Sequence, residues 1–242
     1  MKKIVLFTIS MLTVLSVSAQ WGKRIKGNGN TVTEERSVGD YDGVSVSGWF
    51  DVELVSGNEG NLTLMGEENL LEHLETKVKN GKLVIKPESG YNLQPSSWKG
   101  KGILITIPVE NINSVMLSGS GDIVGKTTLQ SDVFEVVMSG SGDITLEIEA
   151  DAVDTTLSGS GDIKLTGNAG SFTVKVSGSG DVHAFELEAR DVDATVSGSA
   201  DIQVTAIESL KGRVSGSGDI TYKGDPPKVD TKSSGSGDIE RG

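Results

Sequence analysis

The sequence predicts an all-β protein, a right-handed parallel β-helix or β-solenoid of about seven coils with an irregular N-terminal β cap. Three observations predict it. The run Ser-Gly-Ser-Gly-Asp-Ile recurs with small variations through the second half, and its aspartates stand at 122, 143, 162, 181, 201, 219 and 238, spaced 18–21 residues apart. A period near twenty marks a stacked-repeat architecture. Between the motifs, apolar residues alternate with polar ones, as in Phe172, Val174 and Val176 against Thr173, Lys175 and Ser177; this is the period of a strand. The apolar residues are mostly Val, Ile and Leu, which suit a pleated surface.

Taken in order, the first nineteen residues read as a secretory signal. Lys2 and Lys3 precede the apolar run Ile4–Leu15, and Val17-Ser18-Ala19 forms a small-residue cleavage site. Cleavage there takes the net charge from −12 to −14 by removing the two lysines. No later segment is apolar over the roughly 20 residues that a spanning helix needs. Cysteine is absent, so an exported chain of this kind depends on ladder and core rather than on disulfides.

Residues 20–40 are polar, carry Gly27-Asn28-Gly29-Asn30, and read as a flexible N-terminal arm. Residues 41–110 read as the irregular β cap. Val44/Val46, Val52/Leu54 and Leu62/Leu64 keep period two, and Glu67–Leu74 is a short helix. Asn80-Gly81 between Lys77-Val78 and Leu83-Val84-Ile85 signals a hairpin. Tyr91–Gly102 is a loop, and Ile103–Ile107 is a strand that ends at Pro108.

Residues 111–242 form the repeat solenoid. Alternation places the motif glycines with the apolar face, where the wall bends or a neighbouring backbone comes close. Ala200 replaces the second glycine once, so that site does not demand positive φ; a true Ser-Gly-Ser-Gly turn is the other reading. A second corner falls between motifs at Glu149-Ala150-Asp151, Thr166–Gly170 and Glu188–Asp191. Each coil adds about 4.8 Å of height, so seven make a rod of about 30 Å. Val46–Val52 is a degraded echo of the motif, which puts the cap on the same stack. At the far end, Val229, Thr231 and Ser233 replace the apolar pattern after Asp225-Pro226-Pro227, the mark of a terminal coil.

Tyr41–Gly48, then Glu67-Glu68-Asn69-Leu70-Leu71, then Val78–Ile85, lead into the Ser-Gly-Ser-Gly-Asp repeats. In this order the chain, over roughly residues 30–240, resembles the putative auto-transporter adhesins with the head GIN domain. The resemblance implies a right-handed β-helix-like fold and an envelope location. It brings no catalytic residues. No membrane-translocating barrel segment is evident in this sequence.

The main chemical candidate is the row Asp122, Asp143, Asp162, Asp181, Asp201, Asp219 and Asp238. Stacked carboxylates offer the oxygens Ca²⁺ prefers. The competing reading is structural, with each carboxylate bonded to backbone at its corner. His73 and His183 lie far apart in sequence, and with no cysteine a zinc site has too few ligands. Gly125-Lys126-Thr127 ends like a phosphate loop, but Ser120 stands where the first glycine belongs. Trp21, Trp49 and Trp98 are either cap packing or an exposed ligand patch.

No cofactor is expected. The acidic balance argues against nucleic acid. The expectation is a non-enzymatic exported protein of the periplasm, outer-membrane surface or extracellular space. Its partner would be a glycan or protein at a cell surface, or a second copy of the chain. A calcium-stabilised solenoid and a polysaccharide-active enzyme are the alternatives.

Overall fold

The computed structural model describes residues 22–97 and 102–242. The expected signal segment, Trp21 and Trp98 lie outside the described residues. The N-terminal part contains β1 (Lys23–Lys26), β2 (Thr31–Ser37), β3 (Gly43–Gly48), β4 (Asp51–Ser56) and β5 (Asn61–Glu67). The single turn α1 (Glu68–Leu71) follows, then β6 (Leu74–Lys79), β7 (Lys82–Pro87), β8 (Tyr91–Gln94) and β9 (Leu104–Val109). The stack continues with β10 (Ser114–Gly119), β11 (Ile123–Gly140), β12 (Ile144–Gly159), β13 (Ile163–Gly178) and β14 (Val182–Gly198). It ends with β15 (Ile202–Gly216), β16 (Ile220–Lys223), β17 (Lys228–Gly235) and β18 (Ile239–Arg241).

The fold is a β-solenoid of about seven turns. β11 to β15 lie parallel, each on the next, with equivalent residues in register: Ser139 pairs Ser158, Ser158 pairs Ser177, and Ser177 pairs Ser197. Alternation decides what each strand buries. Val174 and Val176 are buried while Lys175 between them is exposed. Ile144, Ile163, Val182, Ile202 and Ile220 form one continuous buried column, and the rings of Phe134 and Phe172 fill the interior. Burying one such side chain is worth about 1.5–3 kcal/mol.

The cap is built onto the same stack. β3 pairs β10 in parallel, with Ser47 opposite Ser118 and Gly48 opposite Gly119, and β4 pairs β11. The echo at Val46–Val52 is therefore a coil of the solenoid. The hairpin at Asn80-Gly81 forms as expected: both residues have positive φ, 52° and 77°, and they join β6 to β7.

Four expectations need correction. Within the expected flexible arm, residues 22–40 carry two paired strands: β1 pairs β8 in parallel and β2 pairs β5 in antiparallel. Composition misses β2 because Arg36 occupies a half-buried position in it. Its guanidinium is satisfied by the carbonyls of Leu71 and Leu74, each at 2.5 Å. Tyr91–Gln94 is β8 rather than loop, since it has β1 as partner. The expected helix over Glu67–Leu74 shrinks to α1, because Leu74 already belongs to β6. Pro108 does not end its strand. β5 pairs only residues 104–106 of β9, so the missing N–H of Pro108 falls beyond that pairing. Its carbonyl accepts the Tyr41 hydroxyl at 2.5 Å.

Candidate functional site: the repeated corner

The Ser-Gly-Ser-Gly-Asp corner combines both readings of its glycines. The first glycine is a true turn residue: Gly119, Gly140, Gly159, Gly178, Gly198, Gly216 and Gly235 have φ between 133° and 153°. A Cβ on Gly178 would also lie 2.2 Å from the carbonyl oxygen of Gly159. The second glycine faces inward without a positive φ. Gly142, Gly161, Gly180 and Ala200 in this column are all buried. A Cβ on Gly180 would fall 2.0 Å from the Gly161 oxygen, so Ala200 reflects a local accommodation and not an open space. Close stacking of backbone at the corner therefore favours glycine at both positions, for two different reasons.

The serines point outward. Ser118, Ser139, Ser158, Ser177, Ser197, Ser215 and Ser234 are exposed and in register. The second serine of each motif is also exposed, and its N–H binds the first-glycine carbonyl one coil back, as Ser141 does to Gly119 at 2.8 Å.

The carboxylates from Asp122 to Asp219 each join two coils. Oδ1 of Asp122 accepts the N–H of Asp143 at 3.0 Å, Asp143 that of Asp162 at 2.9 Å, and Asp162 that of Asp181 at 3.0 Å. The series continues from Asp181 to Asp201, Asp201 to Asp219 and Asp219 to Asp238, at 2.8–2.9 Å. The Asp carbonyl in turn accepts the N–H of the isoleucine one coil back, as Asp162 does from Ile144 at 3.0 Å.

The row starts one coil earlier than the Ser-Gly-Ser-Gly-Asp motif. Asp51 Oδ1 accepts the Asp122 N–H at 3.3 Å. Burial first, and the Asp122 charge second, raise the Asp51 pKa, although the bond from the Asp122 N–H opposes them. The signal for it was the echo, in which Phe50 stands where the inward glycine would be; the Phe50 ring is fully buried.

Calcium needs six to eight oxygens around one point. Here one oxygen of each paired carboxylate is already committed to a backbone N–H. Among the described residues, no three His, Cys, Asp or Glu side chains are grouped as a metal site requires.

The other candidates are scattered. His73 Nδ1 lies 3.1 Å from Glu88 Oε2, and its ring stacks on Tyr91 at 4.2 Å. His183 meets Gln203 Oε1 at 3.2 Å on a different strand face. Lys126 faces Glu53 at 3.4 Å from within β11, which is strand and not a phosphate-binding turn. Trp49 is half-buried, packs on Phe50, and its Nε1 donates to the Leu93 carbonyl at 3.1 Å, which is cap packing.

The second corners make an open groove of about 770 Å³. Sequence reading located these corners but not their concavity, which arises only when coils stack.

These features define a class: an all-β solenoid whose coils repeat one polar corner in register. Among its members, this chain belongs to the putative auto-transporter adhesin family, head GIN domain, whose model matches residues 40–226. No curated protein matches the sequence. The fold is similar to the crystal structure of a putative adhesin from Bacteroides fragilis, with TM-score 0.81 and 23% identity, covering 90% of this chain and 99% of that one. A structure described as a putative lipid binding protein from Parabacteroides distasonis is 29% identical, with TM-score 0.75 and coverage of 91% and 100%. A putative adhesin from Parabacteroides merdae gives TM-score 0.70 at 21% identity, covering 91% and 99%.

Proposed function

We propose that this chain is an exported, non-enzymatic solenoid that mediates adhesion or contact at the cell envelope. The observation that carries the reading is the exposed corner itself. Identical serine and aspartate side chains recur on every coil, about 4.8 Å apart. A surface of this kind binds through many weak, equivalent contacts, so avidity replaces a deep pocket. The basic and apolar start of the sequence supports export, with residues 1–19 as a cleaved signal and the mature chain beginning at Gln20. The Asp row is assigned a structural role that needs no metal. No helix among the described residues is long and apolar enough to cross a membrane.

The test has two arms. Fractionation of cells expressing the full chain should place a protein shortened by about nineteen residues outside the cytoplasm. Display of residues 20–242 on a non-adherent bacterial host should increase its retention on epithelial monolayers under flow. A cytoplasmic, unprocessed product, or retention equal to that of undisplayed cells, overturns the reading.

A further inference from the structure

We propose that the groove at the second corners binds a neutral saccharide chain laid along the rod axis. The inference rests on the adhesion reading and supplies its ligand class. The floor is made of small side chains: Ala150 and Ala169 lie in register, with Gly170 beside them. One wall is the in-register column Gln130, Glu149 and Asn168. Gln130 Nε2 donates to Glu149 Oε2 at 3.0 Å, so part of this wall is already aligned. Asp132, Asp151 and Arg190 line the other side.

This pattern suits a sugar for three reasons. A pyranose ring has an apolar C–H face and a rim of hydroxyls, which match an alanine floor between polar walls. A hydroxyl both donates and accepts; the amides of Gln130 and Asn168 do the same, the carboxylates accept and Arg190 donates. The wall repeats once per strand spacing, about 4.8 Å, close to the advance of an extended chain of sugar rings. A cationic ligand would find the carboxylates of Asp132, Glu149 and Asp151, but it would leave the donors of Gln130, Asn168 and Arg190 unused, and Glu149 is already bonded to Gln130. The groove lining contains no aromatic ring, so each site is weak and binding gains strength by repetition.

The experiment uses the full mature chain and three probes: cellohexaose, xylohexaose and hexalysine. Titration followed by amide chemical shifts should show at least one hexasaccharide binding with a Kd of about millimolar, with shifts centred on residues 130–132, 149–151 and 168–170. The exposed double variant Gln130→Ala/Asn168→Ala should weaken it at least tenfold at an unchanged melting temperature. Lys175→Ala, away from the groove, should leave it unchanged. Binding of hexalysine alone, saccharide binding untouched by the double variant, or no hexasaccharide binding overturns the assignment. Failure of this titration with cell retention intact sinks the ligand class only. Saccharide binding without cell retention sinks the adhesion reading instead.

Discussion

The backbone N–H of Asp143 donates to Oδ1 of Asp122 at 3.0 Å. One residue thus uses its main chain to hold the side chain of its equivalent a full coil away. Carboxylates at strand spacing repel by about 1 kcal/mol in water. A hydrogen bond to a charged group contributes about 1.5–3 kcal/mol. The bond is the larger effect, so a row of like charges can serve as a splint along the rod.

It follows that Asp162→Ala should destabilise the protein by about 1–2 kcal/mol in urea unfolding, because the Asp181 N–H loses its charged acceptor. Asp162→Asn, which keeps an acceptor oxygen, should cost less. Asp238→Ala is the internal control: among the described residues no backbone N–H of another coil donates to its carboxylate, and its loss should stay within about 0.5 kcal/mol. Equal effects at 162 and 238 would refute the splint.

Metal should make no difference. Adding a chelator to the mature protein should leave its melting temperature unchanged, and so should millimolar Ca²⁺. A rise of several degrees with Ca²⁺ would show ligand binding to the native state and restore the metal reading of the row.

The two motif glycines should respond differently to a methyl group. Gly178→Ala combines a φ of 140° with a clash against the Gly159 carbonyl. It should cost about 2–4 kcal/mol. Gly180→Ala meets only the clash with Gly161, at a φ an alanine can adopt, and should cost about 1–2 kcal/mol. Denaturant midpoints of the two variants decide the order; the reverse order would contradict the corner geometry.

Glu67 predicts a pH dependence. Burial works against its ionisation, but N–H bonds from Ser96 at 2.7 Å and Gly29 at 2.5 Å outweigh it and hold the pKa below the usual 4.5. A depressed carboxylate adds stability above its unfolded pKa, and that gain disappears as pH falls through the folded value. The melting-temperature gap between wild type and Glu67→Gln should therefore be present at pH 7 and shrink towards pH 3. A gap independent of pH would mean that the carboxylate's charge plays no part.

The stacked half of the fold was legible in the sequence because its two signals agree. Asp122 to Asp238 give the coil length, and alternation such as Phe172-Val174-Val176 gives the inward face. The cap was less legible because its partners are distant. β1 and β8 look like loops until Lys23 is set opposite Tyr91, and β2 hides its inward position behind Arg36. At the corner, sequence predicted an aspartate bonded to backbone but not that the bond crosses to the next coil. That the donor comes from the next coil is a consequence of register, and register appears only once the turn length is known. The groove was invisible for the same reason, since Gln130, Glu149 and Asn168 are unremarkable singly and become a wall only when stacked.

The braced N-terminal end and the plain C-terminal end also give the rod a mechanical polarity. Antiparallel β2, β5 and β6 lock the first coils crosswise. Among the described residues the last coils hold by parallel bonds to the coil before and by the surface ion pairs Arg213–Asp230 and Arg241–Asp225, with β17 exposed along its whole length. Tension applied from the C-terminal side loads those bonds one coil at a time, and rupture starts where β18 pairs β16 and then reaches β17. Each ruptured coil releases a loop of about the repeat length and lowers the force on the rest. Such a rod yields in steps instead of snapping, and it absorbs work while its braced end stays folded.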